Sequence, residues 1–427
     1  MQLPNEPQPG DQHNANVNPL VEVERAIDNK DWSTALEKLY ELLKRDASNE
    51  DLMAKFKMVR AEEINRLCNK GRAAFEAERW RDSLSSLRQV AIMQEGYENV
   101  DELIASARSR ISKELHLHFK TVANQILNGE VIPFLGAGVN SCGRPDKQCY
   151  KPGRYVPSAA ELTNYLVNEF PYPEEEVKDL LSVSQYIGMT VGSAPLYNSL
   201  HELFDNDEYE PTELHHFLAR LAGILRSLGK PCQLIVTTNY DDMLERAFQK
   251  AREPYDLIWY MASKPHKGNW MHWAPGEEKP NIVLTPNKYN GLNLKERTII
   301  LKIHGAVDRI SKDEEEQYDS FVISEDDYID YLVETEPNNI FPIPIPRLFN
   351  NNHFLFMGYG LRDWNLRVML NRVWGEDELD RNSWAVQTNT PEYIRDYWNT
   401  RKLKILNEHL DDYIAILEQY LQARPTT

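Results

Sequence analysis

No stretch of this chain reaches the roughly 18 to 20 consecutive apolar residues that a membrane-spanning helix needs. Its opening, MQLPNEPQPGDQHNANVNP, has neither a basic start nor an apolar core, so it is not read as a signal peptide. Rich in Gln, Asn and Pro, residues 1–19 are expected to form a disordered lead-in, and the chain is assigned to the cytoplasm. Cysteine is scarce. Cys68, Cys142, Cys149 and Cys232 make no C-x-x-C pair, which excludes a disulfide framework or a zinc ribbon, and no metal is expected. Positive charge is also short: 48 Lys and Arg stand against 66 Asp and Glu, a net charge of −18. That balance argues against a broad nucleic-acid surface, so neither nucleic acid nor membrane is expected as a direct partner. The basic stretch RSRISKELHLHFK from Arg108 is read as a solvated helix face.

What is present is a soluble-type composition over 427 residues, 41% hydrophobic, long enough for two or three domains. Residues 20–120 read as helical throughout. Ala26, Trp32, Ala35, Leu36 and Leu39 are echoed forty-eight residues later by Ala74, Trp80, Ser83, Leu84 and Leu87. The pattern resembles tetratricopeptide-like repeats on paired helices, although its period is longer than theirs. This arm is either a packing extension or a docking surface.

From residue 121 the texture changes to short apolar runs separated by helical segments: VIPFL (131–135), QLIVTT (233–238), TIILKI (298–303), SFVIS (320–324), HFLFM (353–357) and SWAVQ (383–387). Several are apolar on both faces, as buried parallel strands are. The expected fold over 121–427 is therefore an open α/β sheet flanked by helices. Ser158 with Glu161 forms a capping-box signal, Gly229 stops the helix ELHHFLARLAGILRSLG, and LDDYIAILEQYL is expected to pack back on the sheet. Residues 254–293 remain unassigned.

The polar residues follow the strands. Gly136, Ala137, Gly138, Val139 and Asn140 come after the first; Thr238, Asn239, Tyr240 and Asp241 after the second; His304 and Gly305 after TIILKI; Gly358, Tyr359 and Gly360 after HFLFM. In an open parallel sheet these ends share one edge, where ligands bind. Each has a plainer reading: a turn for the glycines, a helix cap for Asn239 and Asp241. The full G-x-G-x-x-G fingerprint is missing, since Ser141 replaces its third glycine.

The motifs FLGAGVN, TTNYDD, KIHGAVD and GYGLRDWN, over about residues 121–421, resemble the sirtuin-like domain (silent information regulator 2-like) of bacterial anti-phage defence proteins. The resemblance implies a Rossmann-like parallel sheet without a zinc module. It implies NAD-phosphate contacts at Gly136, Ala137 and Gly138, with Val139, Asn140 and Thr238 in the same binding segments. Asn239 and Asp241 would meet the ribose and nicotinamide, His304 would be the catalytic base, and Gly358, Tyr359 and Gly360 would lie near the adenosine. Thr238 stands where sirtuins have Gln, and Asn140 where they have Ser. With no four-cysteine set, acyl-lysine removal is not the favoured activity.

The implied function is NAD+ glycohydrolysis, giving nicotinamide and ADP-ribose or a cyclic isomer, in a regulated effector that depletes NAD during infection. NAD is then substrate, and the expected partners are further copies of the chain or a defence protein such as a HerA-type ATPase or a sensor. Nicotinamide leaves as a neutral base, so the site must stabilise an oxocarbenium-like centre and position a nucleophile. His304, at an ordinary imidazole pKa, would take up the proton. The pyrophosphate would lie on the amides from Gly136 to Val139. The alternatives are a non-catalytic module that senses NAD or ADP-ribose and, behind it, an NAD-dependent deacylase.

Overall fold

The computed structural model describes residues 19–144, 155–309, 318–333, 341–361 and 381–423. The expected lead-in, Cys149, and the Asp363, Trp364 and Asn365 of the last motif lie outside the described residues. The chain divides into two compact units, residues 1–118 and 119–427.

The first unit is built from helices α1 (Pro19–Asp28), α2 (Trp32–Arg45), α3 (Glu50–Glu76), α4 (Trp80–Met93) and the start of α5 (Val100–Leu127). The repeat seen in the sequence is carried into its hairpin turns. Lys30 and Glu78, forty-eight positions apart, both take φ +57°, and the following amides, Asp31 and Arg79, both return to the alanine five residues back at 2.8 Å. Ala26, Ala35 and Leu39 are buried in one hairpin, Ala74, Ser83 and Leu87 in the other. The long period comes from the 27-residue α3.

The second unit is built on a nine-stranded sheet. Its strands are β1 (Val131–Leu135), β2 (Leu234–Thr237), β3 (Tyr255–Tyr260), β4 (Trp270–Trp273), β5 (Asn281–Val283), β6 (Thr298–Lys302), β7 (His353–Met357), β8 (Ser383–Val386) and β9 (Leu403–Leu406). The order is β5-β4-β3-β6-β2-β1-β7-β8-β9, antiparallel only at the β4 and β5 edge. The chain leaves β1 to one side for β2 and later returns to its other side for β7, so β1 sits at the topological switch point. Helices α6 (Ala159–Glu169), α7 (Leu180–Thr190), α8 (Ser193–Phe204), α9 (Glu213–Ser227), α10 (Met243–Ala251), α11 (Glu325–Val333), α12 (Ile345–Asn351), α13 (Glu392–Asn399) and α14 (Leu410–Gln422) accompany it. The fold is thus the expected Rossmann-like α/β sheet with a helical N-terminal region.

One expected strand is corrected, and unassigned segments find their places. SFVIS is no sheet strand. Its backbone pairs beyond the end of β6, Val322 N–H to the His304 carbonyl and Ser320 N–H to Ala306, while the Val322 and Phe321 carbonyls accept from the hydroxyls of Tyr240 and Tyr197. Those bonds occupy the groups a neighbouring strand would use. The unassigned 254–293 region supplies β3, β4 and β5, and LKIL forms the edge strand β9. Helix α14 packs against α9, with Arg220 paired to Glu418, and its Tyr413 meets Phe119 of α5.

Two cores flank the site. One lies along the sheet and holds Ile132, Phe134, Val236, Leu301 and Phe356. The other gathers α6, α7 and α8 with Tyr240, Met243, Val307 and Phe321. Phe204, Tyr240, Tyr197 and Phe321 meet largely edge to face in this second core, and so fix one wall above the strand ends.

Candidate functional site

Register brings the motifs together. Leu135 lies opposite both Thr237 and Met357, and Thr237 lies opposite Lys302, so β6, β2, β1 and β7 stop on one line. The next residues of each strand therefore meet. A cavity of about 450 Å³ opens there, within the usual range for small-molecule sites. Gly136, Ala137, Gly138 and Asn140 line it from β1. Thr238, Asn239 and Asp241 line it from β2, His304 from β6, and Gly358, Tyr359 and Gly360 from β7. Of the residues expected at the site, only Val139 is absent from the wall. Its side chain is fully buried, its N–H is bonded to the Gly136 carbonyl, and its own carbonyl accepts from Thr212.

The glycines have a different cause from the expected one. Gly136 is extended, at φ −117° and ψ 177°, so no left-handed turn demands it. A Cβ on Gly136 would come within 2.7 Å of the Gly358 carbonyl oxygen, and one on Gly138 within 2.8 Å of the same atom. Gly358 itself has φ +66°, and a Cβ there would overlap the Val139 nitrogen. The two glycine loops lie backbone to backbone, tied by Gly136 N–H to the Met357 carbonyl at 3.0 Å and Gly138 N–H to the Gly358 carbonyl at 2.8 Å. The N–H groups of Gly136, Gly138 and Val139 thus bond to carbonyls of the protein.

Asp241 serves both as a helix cap and as a site residue. Its Oδ1 accepts from the Met243 amide at 3.1 Å, at the start of α10, and its Oδ2 accepts from Asn140 Nδ2 at 2.9 Å. This carboxylate therefore orients Asn140, leaving that amide's oxygen free. Asn239 sends Nδ2 toward the Gly136 carbonyl at 3.4 Å, and its amide N–H donates to Thr237 Oγ1. Asn140 and Asn239 are only 6% and 8% exposed, yet neither Oδ1 has a hydrogen-bond partner among the described residues. Both oxygens are shielded from solvent, and a buried acceptor without a donor is costly.

His304 is buried against Tyr328, whose hydroxyl lies 3.4 Å from Nδ1, and near the ring of Tyr331. Burial lowers its pKa to about 3, so it is neutral at pH 7 and a weaker base than its ordinary pKa suggested. Gly305 takes φ +90° and leaves no room for a Cβ beside the Ser320 backbone, which fixes the turn that follows the histidine.

Two further residues contribute. Tyr328, in the EDDY stretch, lines the cavity on α11. Lys302, 1% exposed at the end of β6, donates to the Asp241 carbonyl at 2.5 Å and the Tyr240 carbonyl at 3.4 Å, and pairs with Glu245 of α10 at 2.5 Å. Its three ammonium donors thus have three acceptors, and it clamps the 240–241 backbone beside His304. The available signal was a charge in a run apolar on both faces. Burial raises Glu245 to about 7 against the pull of Lys302. Among the described residues, no three His, Cys, Asp or Glu side chains are grouped to hold a metal ion.

Comparison with known proteins converges on the same region. Residues 233–406 match the family model of the SIR2-like domain, a span that runs from β2 to β9 and includes Asn239, Asp241, His304 and Gly358 to Gly360. The NAD(+) hydrolase ThsA of Bacillus cereus (strain MSX-D12) is 23% identical over 269 residues, 62% of this chain and 44% of that protein. The NAD(+) hydrolase ThsA of Cytobacillus dafuensis is 23% identical over 235 residues, 54% of this chain and 38% of that protein. The chain matches less than half the length of either relative. Its sheet, strand ends and matched span together identify a SIR2-like domain in this protein.

Proposed function

We propose that the chain hydrolyses NAD+ at the bond between nicotinamide and ribose C1′, releasing nicotinamide and ADP-ribose. The observation that carries this reading is the cavity in which Asn140, Asn239, Asp241 and His304 meet from the ends of β1, β2 and β6. Such polar side chains suit ribose hydroxyls or a water. In the reaction the C1′–N bond breaks with its electron pair leaving on nicotinamide, a water oxygen bonds to C1′, and the water's proton is lost. With its proton on Nδ1 and directed to the Tyr328 oxygen, neutral His304 would present Nε2 as the acceptor. Asp241 acts through Asn140, which it orients, and its charge lies close to the developing cation. The names of the two relatives support NAD as substrate.

The biological reading is an effector that depletes NAD in defence against phage, held in check until triggered. A module that binds NAD or ADP-ribose without turnover is the second reading, favoured by the low basicity of His304. Incubating the purified chain with NAD+ and identifying products separates the two. His304→Ala and Asn239→Ala should each abolish nicotinamide release while keeping the melting transition; full turnover in both variants would exclude this site.

A further inference from the structure

The loop after β1 carries Asn140 to the cavity and is tied down from several sides. Its glycines bond to the backbone after β7, Gly136 N–H to Met357 and Gly138 N–H to Gly358. The Asn140 side chain is held from the β2 side by Asp241 at 2.9 Å. A further tie comes from outside the cavity. Thr212, the N-cap of α9, donates from Oγ1 to the Val139 carbonyl at 3.2 Å, seventy-three residues away in the chain. That carbonyl and the Asn140 N–H belong to one peptide unit, which is planar and turns as a piece. Thr212 therefore sets the backbone of Asn140, as Asp241 sets its side chain. Thr212 itself is not part of the cavity wall.

His215 decides where the hydroxyl proton goes. Its Nδ1 lies 2.8 Å from Thr212 Oγ1 and is a competing acceptor. The Thr212 amide, however, donates to the same Nδ1 at 3.1 Å, the reciprocal bond of a capping box. A neutral imidazole has one accepting nitrogen with one lone pair, and the amide takes it. Burial lowers the His215 pKa to about 3, so the ring stays neutral at pH 7 and keeps that lone pair. The hydroxyl proton is left for Val139. The same carbonyl also accepts from the Cys142 amide at 3.3 Å, but Cys142 ends the same short helical turn and cannot fix it against the rest of the fold.

We propose that Thr212 is a positioning residue of the site: through the Val139 carbonyl it holds Asn140, and with it the Asp241 carboxylate, where the terminal ribose of the nucleotide binds. The assignment rests on reading the cavity as the NAD site. It is tested in the full chain with Thr212→Val, which removes the hydroxyl at nearly constant shape, and Thr212→Ser, which keeps it. Both retain the backbone bond to His215, and both suit the extended φ −74° and ψ 167° of this position. Titration with ADP-ribose and with ADP, which lacks the terminal ribose, separates this end of the cavity from the rest. Thr212→Val should bind ADP-ribose about tenfold more weakly than the wild type, the worth of one hydrogen bond, and ADP equally well. Thr212→Ser should bind both as the wild type does, and NAD+ turnover should fall in the first variant and return in the second. Unchanged ADP-ribose affinity in Thr212→Val overturns the assignment. So does an equal loss for ADP, which marks general loosening, or an equal loss in Thr212→Ser, which traces the effect to the methyl group. Should Thr212→Val not fold, Thr212→Gly, which caps a helix almost as well as Thr, carries the same expectation. The affinities judge Thr212 whether or not NAD+ is turned over. A wild-type chain that binds ADP-ribose but leaves NAD+ intact sinks hydrolysis alone, and one that binds neither sinks both.

Discussion

A histidine that is to accept a proton must be neutral and must turn a lone pair toward the substrate; burial secures the first for His304 and also weakens it as a base. The same burial has a consequence for stability. His215 on α9, like His304, is lowered to about 3, whereas in the unfolded chain each protonates near 6.5. Below 6.5 the unfolded state therefore binds more protons, and stability falls as pH drops toward 3. Glu245 works in the opposite sense: raised to about 7, it keeps a proton in the folded chain between about 4.5 and 7, and that contribution is lost as pH rises through 7. His215 Nδ1 accepts from the Thr212 amide at 3.1 Å, a capping-box role that Gln fills equally well. In His215→Gln the drop in unfolding free energy between pH 7.5 and 5.0 should shrink by about 2 kcal/mol. Denaturant melts at the two pH values measure it, and an unchanged drop would clear His215 of any part in acid sensitivity.

Between elements, the joint that matters is the one Lys302 makes from the end of β6 to the turn before α10. Removing only the lysine, as Lys302→Met, leaves Glu245 buried and unpaired and deprives two carbonyls of their donor, which should cost about 3–5 kcal/mol. Replacing both partners, as Lys302→Met with Glu245→Leu, removes the unpaired buried carboxyl and should recover much of that loss. If Lys302 positions the 240–241 backbone, NAD turnover per folded molecule stays low in the double variant even as its urea midpoint recovers. Recovery of both together would make the pair a matter of stability alone. The glycine loops illustrate the same scale: β1 and β7 end in register, so two backbones must touch where Gly136 and Gly138 meet Gly358.

At the scale of the whole chain, each unit has its own core. Val23, Leu39 and Val59 cluster with one another, as do Ile64, Leu87 and Ile104, while the two cores beside the sheet draw on residues from Ile132 onward. A chain beginning at Phe119 should therefore unfold cooperatively and bind ADP-ribose like the full protein. If the arm restrains the enzyme, this shortened chain consumes NAD+ faster than the full one. Equal rates in a time course of NAD+ loss would leave restraint to something other than the arm.

Period and punctuation in the sequence were enough to mark the helical repeats, the capping box at Ser158, and the strands that carry VIPFL and HFLFM, because these depend on neighbours a few residues apart. The order of polar strand ends was legible for the same reason, and parallel pairing then carried Gly136, Asn239, His304 and Gly358 to one cavity. Distant partners decided the rest. SFVIS has the composition of a strand, but its carbonyls are taken by tyrosines over eighty residues away in the chain. The β1 glycines make room for the backbone at Gly358, and Asp241 holds Asn140 from a hundred residues away. A hydrogen bond is satisfied once, and which group satisfies it depends on what the folded chain brings near.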